Sequence, residues 1–497
     1  MSQSQRIATL LALGLGCGAC SSYSMNAELG VTQGGSQDIR LAREIIQAGG
    51  VPTQDFFTAE GLFSEHDLPI DGPACERVLC PRAAASMIDP VDGSGQQLLI
   101  QLGFATSIDA DSFQRRPLNL AVVVDVSGSM GDGKLDAVKL ALNTMVDQLD
   151  EVDQVALVAF DDAAWIELSK TTMDGPGRQD LRQAIEHLRD DGSTNIEAGL
   201  NLGYGEVAPD AAMPGYEDRV MLFTDAQPNT GNTGLNTFLG MARYYSQAGI
   251  GLSVFGVGLD LGSELASEVS QTRGGNYFYL ADQDAIAQVF DEEFDYMVSP
   301  VAYDLEVLVT PRAGWLVGDA YAAPLDEQAR VVDFGASTLF LSKRNGGMGV
   351  TLVADDRILS MGDDPEPTEE APMSLARFQL RYETADDFDR VQDELEVTWT
   401  GGSVIMDQLV NADDLGVYKM GSLVDEFQSL ELGAAWCDGH ASMPEALEAI
   451  HETALRLHAI ADHLNSPQLE AEAVLMEQLA GNVADGPNNC WYDAYGY

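Results

Sequence analysis

The stretch from Leu118 to Val124, a largely apolar run rich in valine that stops at Asp125, constrains the fold of this 497-residue chain more than any other segment. A strand covered on both faces reads as a continuous β-branched run, so this segment predicts a buried parallel strand with Asp125 at its carboxyl end. Asp125, Ser127 and Ser129 alternate along the turn in VVVDVSGSM. That turn leads into a helix from about Leu135 to Leu149, where Leu135, Val138, Leu142, Met145 and Leu149 recur at helical spacing. A second strand, Val220 to Phe223, ends at Thr224-Asp225, and Thr194 lies in a third segment, DGSTNIEAGL. Strand ends of this kind share the rim where open α/β sheets bind ligands. Asp125, Ser127, Ser129, Thr194 and Asp225 therefore form a candidate site of carboxylate and hydroxyl oxygens. Such hard donors suit Mg²⁺, which prefers octahedral oxygen coordination and keeps waters when the protein supplies few charges.

Strands and helices alternate from about Leu118 to Val298, with further strands at Gln154 to Phe160, Ala164 to Leu168, Leu252 to Val257 and Tyr277 to Leu280. This order predicts a doubly wound α/β domain. The order and surroundings of the oxygen donors resemble the metal-ion-dependent adhesion site of von Willebrand factor type A (VWA) domains, a Rossmann-like fold, over residues 117–299. The resemblance implies that Asp125, Ser127 and Ser129 ligate or position Mg²⁺, with Mn²⁺ or Ca²⁺ as substitutes. It implies that Thr194 binds the ion directly or through water and that Asp225 stands behind these ligands. It also implies a protein partner that offers an Asp or Glu to the open coordination position, hence a binding module and not an enzyme. Ala226 stands where the family usually has Gly, and Ser193 rather than Gly precedes Thr194. Both are small, so the expectation is altered loop geometry and a retained ion.

A competing motif overlaps these residues. Gly128 to Lys134 (GSMGDGK) fits the first seven positions of a phosphate-binding loop. Leu135, however, replaces the hydroxyl that should hold the metal, and Asp132 would put a negative charge into a phosphate cradle. A hydrolase that uses the VWA domain to recruit substrate is the alternative from another functional class. The sequence presents no nucleophile elbow to support it.

Charge narrows the partners. The 79 acidic residues outnumber 26 basic ones, for a formal net charge of -53, a field that repels nucleic acid and anionic lipid surfaces. Near the N-terminus, Arg6 and the apolar Ile7 to Leu15 precede Gly18-Ala19-Cys20-Ser21-Ser22. The apolar stretch is too short to span a bilayer, and the pattern looks like a bacterial lipoprotein signal over residues 1–20, with Cys20 lipidated. The expected location is the cell envelope, lipid-anchored, with plain secretion as the alternative. Four cysteines follow the leader: Cys75, Cys80, Cys437 and Cys490. They allow three pairings, of which chain proximity favours Cys75 with Cys80 and Cys437 with Cys490.

Flanking segments read differently. Residues 21–90 hold an amphipathic stretch, Asp38 to Gln47, and GGVPTQDFFTAEGLFSEHDLPI resembles the N-terminal extension of bacterial VWA lipoproteins. Short strands precede the α/β segment (Leu98 to Ala105) and follow it (Asp304 to Thr310, Val331 to Phe334, Gly349 to Ala354, Phe378 to Tyr382, Glu394 to Trp399). They predict a β-sandwich of residues 91–116 and 300–425 into which the VWA domain is inserted, a layout similar to inter-alpha-trypsin-inhibitor-like heavy chains. Residues 426–497 predict a helical C-terminal segment, with Ser442 and Glu445 as a capping box and Pro467 separating off a second helix, Gln468 to Leu479. His451 and His458 fall seven apart there and read as solvated side chains rather than a metal site. The tail of Trp491 and Tyr492 to Tyr497 is expected to pack on the sandwich or meet a partner.

Overall fold

The computed structural model describes residues 30–33, 39–109, 112–211, 215–225, 235–257, 272–280, 288–323, 325–326, 331–355, 371–401, 403–405, 408–410 and 415–491, with single residues 269, 286 and 368. The leader with Cys20, Ala226 and residues 492–497 lie outside them.

The run that ends at Asp125 is the strand Leu118–Asp125, and all of its residues are buried. It lies inside a six-stranded sheet ordered Gly275–Leu280, Gly251–Val257, Glu217–Thr224, Leu118–Asp125, Gln154–Phe160 and Ala164–Thr172. All neighbours are parallel except the last pair, which forms an antiparallel hairpin. Helices cover both faces, as a strand apolar on both sides requires. On one face the helix Lys134–Gln148 buries Leu135, Val138, Leu142 and Met145 against Leu120, Val122 and Val124. On the other, Ile196–Val207 packs Leu200 and Tyr204 against Val123 and Val220. That helix comes unusually close. A Cβ at Gly199 would stand 2.5 Å from the Phe160 ring, and one at Gly203 would stand 2.4 Å from a Val123 methyl.

The surrounding sandwich is assembled from both sides of this domain. The strand Gln97–Ala105, which precedes it, pairs antiparallel with Met348–Ala354, which follows it. That sheet also holds Trp315–Tyr321, Cys80–Ile88, Ser403–Ile405 and Gln408–Val410. The facing sheet holds Gly30–Gln33, Val331–Ser342, Pro300–Pro311, Met373–Thr384 and Arg390–Trp399, with Leu325–Asp326 beside Val331–Ser342. Leu98, Ile100, Val307, Val350 and Phe378 meet in the core between them. The α/β domain is thus an insertion in a sandwich.

Several boundaries differ from the sequence expectation. The sandwich begins before residue 91, because Cys80–Ile88 and Gly30–Gln33 are among its strands. Cys80–Ile88 is alanine-rich, a composition that reads weakly as strand. Trp315–Tyr321 is an additional strand, interrupted by a register shift between Val317 and Ala320 that breaks its alternation. The helical segment starts at Leu415 rather than 426. This Leu415–Cys437 helix is buried around most of its circumference, so it shows no narrow apolar stripe.

The helices Leu415–Cys437, Met443–Leu464 and Pro467–Ala484 form one core with Arg40–Gln47 and Ala59–Ser64 from the N-terminal extension. Ser442 and Glu445 make the expected capping box. Arg43 clamps the two ends of the chain together, donating to Glu65 at 2.6 Å and to Glu472 at 2.9 Å, while His66 Nε2 lies 3.1 Å from Glu472. Val51–Pro52 pairs in parallel with Cys490–Trp491. Disulfides join Cys75 to Cys80 and Cys437 to Cys490, with Cα atoms 5.8 and 5.6 Å apart.

The second disulfide closes a loop of 53 residues around the last two helices. In the chain-entropy model such a loop contributes on the order of 4 kcal/mol. Replacing Cys437 and Cys490 by Ser together is expected to raise amide-exchange rates across residues 443–491 while leaving those of residues 118–224 unchanged. Hydrogen-exchange mass spectrometry checks both regions in one experiment.

Candidate metal centre

The carboxyl ends of the parallel strands bring the oxygen donors to one rim. Asp125 closes the central strand and Asp225 follows Glu217–Thr224 beside it, and both are fully buried. The turn after Asp125 is fixed by Val126 N–H donating to the Phe160 carbonyl at 2.9 Å and Met130 N–H donating to the Ser127 carbonyl at 3.0 Å. Ser127 is buried and Ser129 is exposed at the mouth. The segment carrying Thr194 is tied to the same turn. Gly128 N–H donates to the Gly192 carbonyl at 3.0 Å, and Asp191 N–H to the Val126 carbonyl at 2.8 Å. Thr194 itself is fully buried, one residue before Asn195, whose side chain caps the Ile196–Val207 helix by accepting from Ala198 N–H. The close packing of Gly199 and Gly203 against the sheet therefore sets how near this loop approaches the rim.

Hydrogen bonds orient the carboxylates. Asp125 Oδ1 accepts from Ser127 N–H at 2.9 Å and Oδ2 from the Thr224 hydroxyl at 2.6 Å. The Ser127 and Ser129 hydroxyls lie 3.0 Å apart, and Ser129 donates to Asp225 Oδ1 at 2.8 Å. Asp225 Oδ2 accepts from the Lys134 ammonium at 2.6 Å. Asp125, Ser127, Ser129 and Asp225 are thus linked through one bonded network, with Thr194 on the adjoining loop. Thr224 and Lys134 are participants that the sequence reading left out. Thr224 had a signal in its place at the strand end, and Lys134 had one in the GDGK turn. That lysine argues against the phosphate-loop reading, since its ammonium is engaged by a carboxylate.

The donor set fits a hard divalent cation. It offers buried carboxylate oxygens and hydroxyls on converging loops, the chemistry that Mg²⁺ accepts and softer metals do not require. Among the described residues no group of three or more His, Cys, Asp or Glu is placed to hold a metal. His458 instead sits between Glu470 at 2.9 Å and Glu477 at 3.3 Å, an ion-pair arrangement on the helical surface.

Burial pushes Asp125 up from 3.8 to about 6, against the lowering effect of hydrogen bonds from Thr224 and Ser127, and nearby Asp225 adds to the rise. A folded value above the unfolded one means that the native state favours the protonated form. The stability this contributes is fully present below the unfolded value of 3.8 and is lost as pH rises through about 6. In ion-free protein the loss is on the order of 3 kcal/mol. Urea unfolding in EDTA, compared with Asp125→Asn across this range, should show the wild type falling behind the variant as pH rises. Added Mg²⁺ should narrow that gap above about pH 6, where the ionised carboxylate can ligate it.

Comparison with known proteins places a family on this stretch of sequence. The family model of the von Willebrand factor type A domain matches residues 119–292. The Escherichia coli protein YfbK is 26% identical over 275 residues, covering 55% of this chain and 47% of its own. The Synechocystis protein sll0103 is 27% identical over 293 residues, covering 57% of this chain and 66% of its own. The chain therefore spans less than two thirds of either relative. The pig inter-alpha-trypsin inhibitor heavy chain H2 is 25% identical over 214 residues, covering 39% of this chain and 22% of its own. Among solved structures, von Willebrand factor type A from Catenulispora acidiphila covers 83% of this chain and 98% of its own at 13% identity and a TM-score of 0.45. Proximal thread matrix protein 1 from the mussel byssus, solved with a zinc-occupied MIDAS motif, covers 37% of this chain and 45% of its own at 20% identity and a TM-score of 0.31. With the doubly wound sheet, the bonded rim and the matched family on one stretch of sequence, residues 119–292 are a von Willebrand factor type A domain.

Proposed function

We propose that this chain is a divalent-ion-dependent protein-binding protein displayed on the bacterial cell envelope. VWA domains commonly mediate protein–protein interaction, and related domains carry a metal at the adhesion site. The observation that carries the reading here is the convergence of Asp125, Ser127, Ser129 and Asp225 in one bonded network at the strand ends, with the Thr194 loop tied to it. Asp125, Ser127 and Ser129 would hold Mg²⁺, Thr194 would reach it directly or through water, and Asp225 would orient Ser129. A partner carboxylate would take the remaining position. Among the described residues no observation favours the hydrolase alternative.

Orientation supports a binding role. The opposite end of the sheet is the one in contact with the sandwich, since Gly274 N–H donates to Thr338 at 2.6 Å and Ser337 donates to the Thr272 carbonyl at 3.1 Å. The metal face therefore points away from its support. The disulfides fit an oxidising compartment, which agrees with export. Anchoring through a lipidated Cys20 is part of the proposal, and mass spectrometry of the mature N-terminus tests it. An unmodified start beyond Cys20 would leave a secreted protein.

Affinity capture from envelope extract with and without EDTA, using wild type and Asp125→Ala, tests the function. Asp125→Ala should lower Mg²⁺ affinity by at least about 100-fold, and Thr194→Ala and Asp225→Ala by about 10- to 100-fold. Circular dichroism should stay native in all three, because the changes lie at loop and strand ends. Capture that ignores both EDTA and Asp125→Ala would sink the reading.

A further inference from the structure

Lys134 occupies an electrostatically adverse position. It is the first residue of the Lys134–Gln148 helix, where the positive end of the helix dipole disfavours a cation. The chain is nevertheless turned to present it there, because Asp132 and Gly133 take left-handed conformations at φ 56° and 96°. For Asp132, a residue with a Cβ, that conformation carries strain. The position is balanced by Asp225, whose fully buried carboxylate receives the ammonium at 2.6 Å while its other oxygen receives the Ser129 hydroxyl. The Lys134 side chain itself keeps 26% of its surface exposed, so it can swing outward without unfolding the helix.

We propose that Lys134 is a built-in counter-cation of the metal centre, one that weakens binding of the ion alone and couples its retention to an anionic partner group. This rests on the reading of the rim as an ion-binding site. With both carboxylates ionised, the centre without Lys134 would carry charge enough to neutralise a divalent ion fully. With the ammonium on Asp225, less of the bound ion's charge is offset by its own two carboxylates, which leaves more of it to attract a further carboxylate. The coupling is reciprocal: whatever the ion gains from the partner's carboxylate, the partner gains from the ion. Before any ion arrives, the same ammonium holds Asp225 in a buried site that would otherwise leave its charge uncompensated.

Isothermal titration of the full-length chain with Mg²⁺ and with Mn²⁺ tests this, using wild type, Lys134→Met and Lys134→Arg. Lys134→Met keeps an apolar stem and loses the charge, and it should bind either ion at least about tenfold more tightly. Lys134→Arg should stay near wild type. In EDTA the melting midpoint of Lys134→Met should drop below that of wild type, and Mg²⁺ should raise it by more. Acetate, as a probe for the partner carboxylate, should strengthen Mn²⁺ binding more in wild type than in Lys134→Met at matched ionic strength. Should the Met variant fail to fold by circular dichroism, Lys134→Gln takes its place in the same titrations. Unchanged or weaker ion affinity in the folded uncharged variant, with binding still lost in Asp125→Ala, would overturn the counter-cation while leaving the ion site intact. If wild type binds neither ion, the ion-site reading itself fails, and Lys134 is only a structural ion pair.

Discussion

Burial of the Leu118–Asp125 strand on both faces is the constraint from which the site follows. A strand with no solvent-facing side needs parallel neighbours and helices above and below, and each crossover helix must begin at the same edge of the sheet. That edge collects the turn after Asp125, the segment before Ile196 and Asp225 after the neighbouring strand. The chemistry is then imposed on a place where backbone groups are already committed. Asp125 spends its oxygens on Ser127 N–H and Thr224, so its orientation is settled by the protein alone. Preorganisation of that kind would remove much of the ordering cost of ligating an ion as proposed.

Polar groups, rather than a second apolar core, govern how the inserted domain meets the sandwich. Arg115, on the incoming connection, donates two bonds to Asp153 at 2.9 and 2.6 Å and another to Asp295 at 2.7 Å. Asp153 also accepts from Leu118 N–H, so one carboxylate holds the connection and the first residue of the central strand. Near the outgoing side, buried Arg219 donates to Ser253 and to the Gly274 carbonyl, and its guanidinium lies 5.1 Å from the centre of the Phe340 ring in the sandwich. Arg273 stacks 4.0 Å over Tyr303 and pairs with Glu383. Guanidinium groups suit such a seam because they bond in a planar fork and stack on aromatic faces at once. Desolvated ion pairs are a poor source of net stability, but they tolerate few alternative registers.

Legibility in the sequence followed burial pattern. Segments with extreme patterns were readable almost to the residue: Gln154–Phe160 as a continuous apolar strand, and the capped helix at Ser442 through its Ser and Glu. Elements whose side chains carry no contrast were not. Cys80–Ile88 centres on three alanines and a serine, and the Leu415–Cys437 helix is enclosed by the N-terminal extension and the two helices that follow it, so neither displays the polar face that marks its period. At the rim, residue types and their places after strand ends singled out Asp125, Ser127, Ser129 and Asp225, which the structure brings into one bonded network. Which donor meets which could not be read there. The bond from Lys134 to Asp225 spans 91 residues of sequence and depends on two left-handed residues whose conformation no local pattern announces.

The insertion has a mechanical consequence. The chain enters the VWA domain from the strand Gln97–Ala105 in one sheet of the sandwich and leaves it into Pro300–Pro311 in the other. A pull on a partner held at the rim, as proposed, would therefore be divided between two tethers in parallel, one to each sheet. A domain hung from a single terminus would transmit the whole load to one strand and could be peeled away bond by bond. Here tension would load both sheets together, and their ladders of hydrogen bonds would resist it side by side.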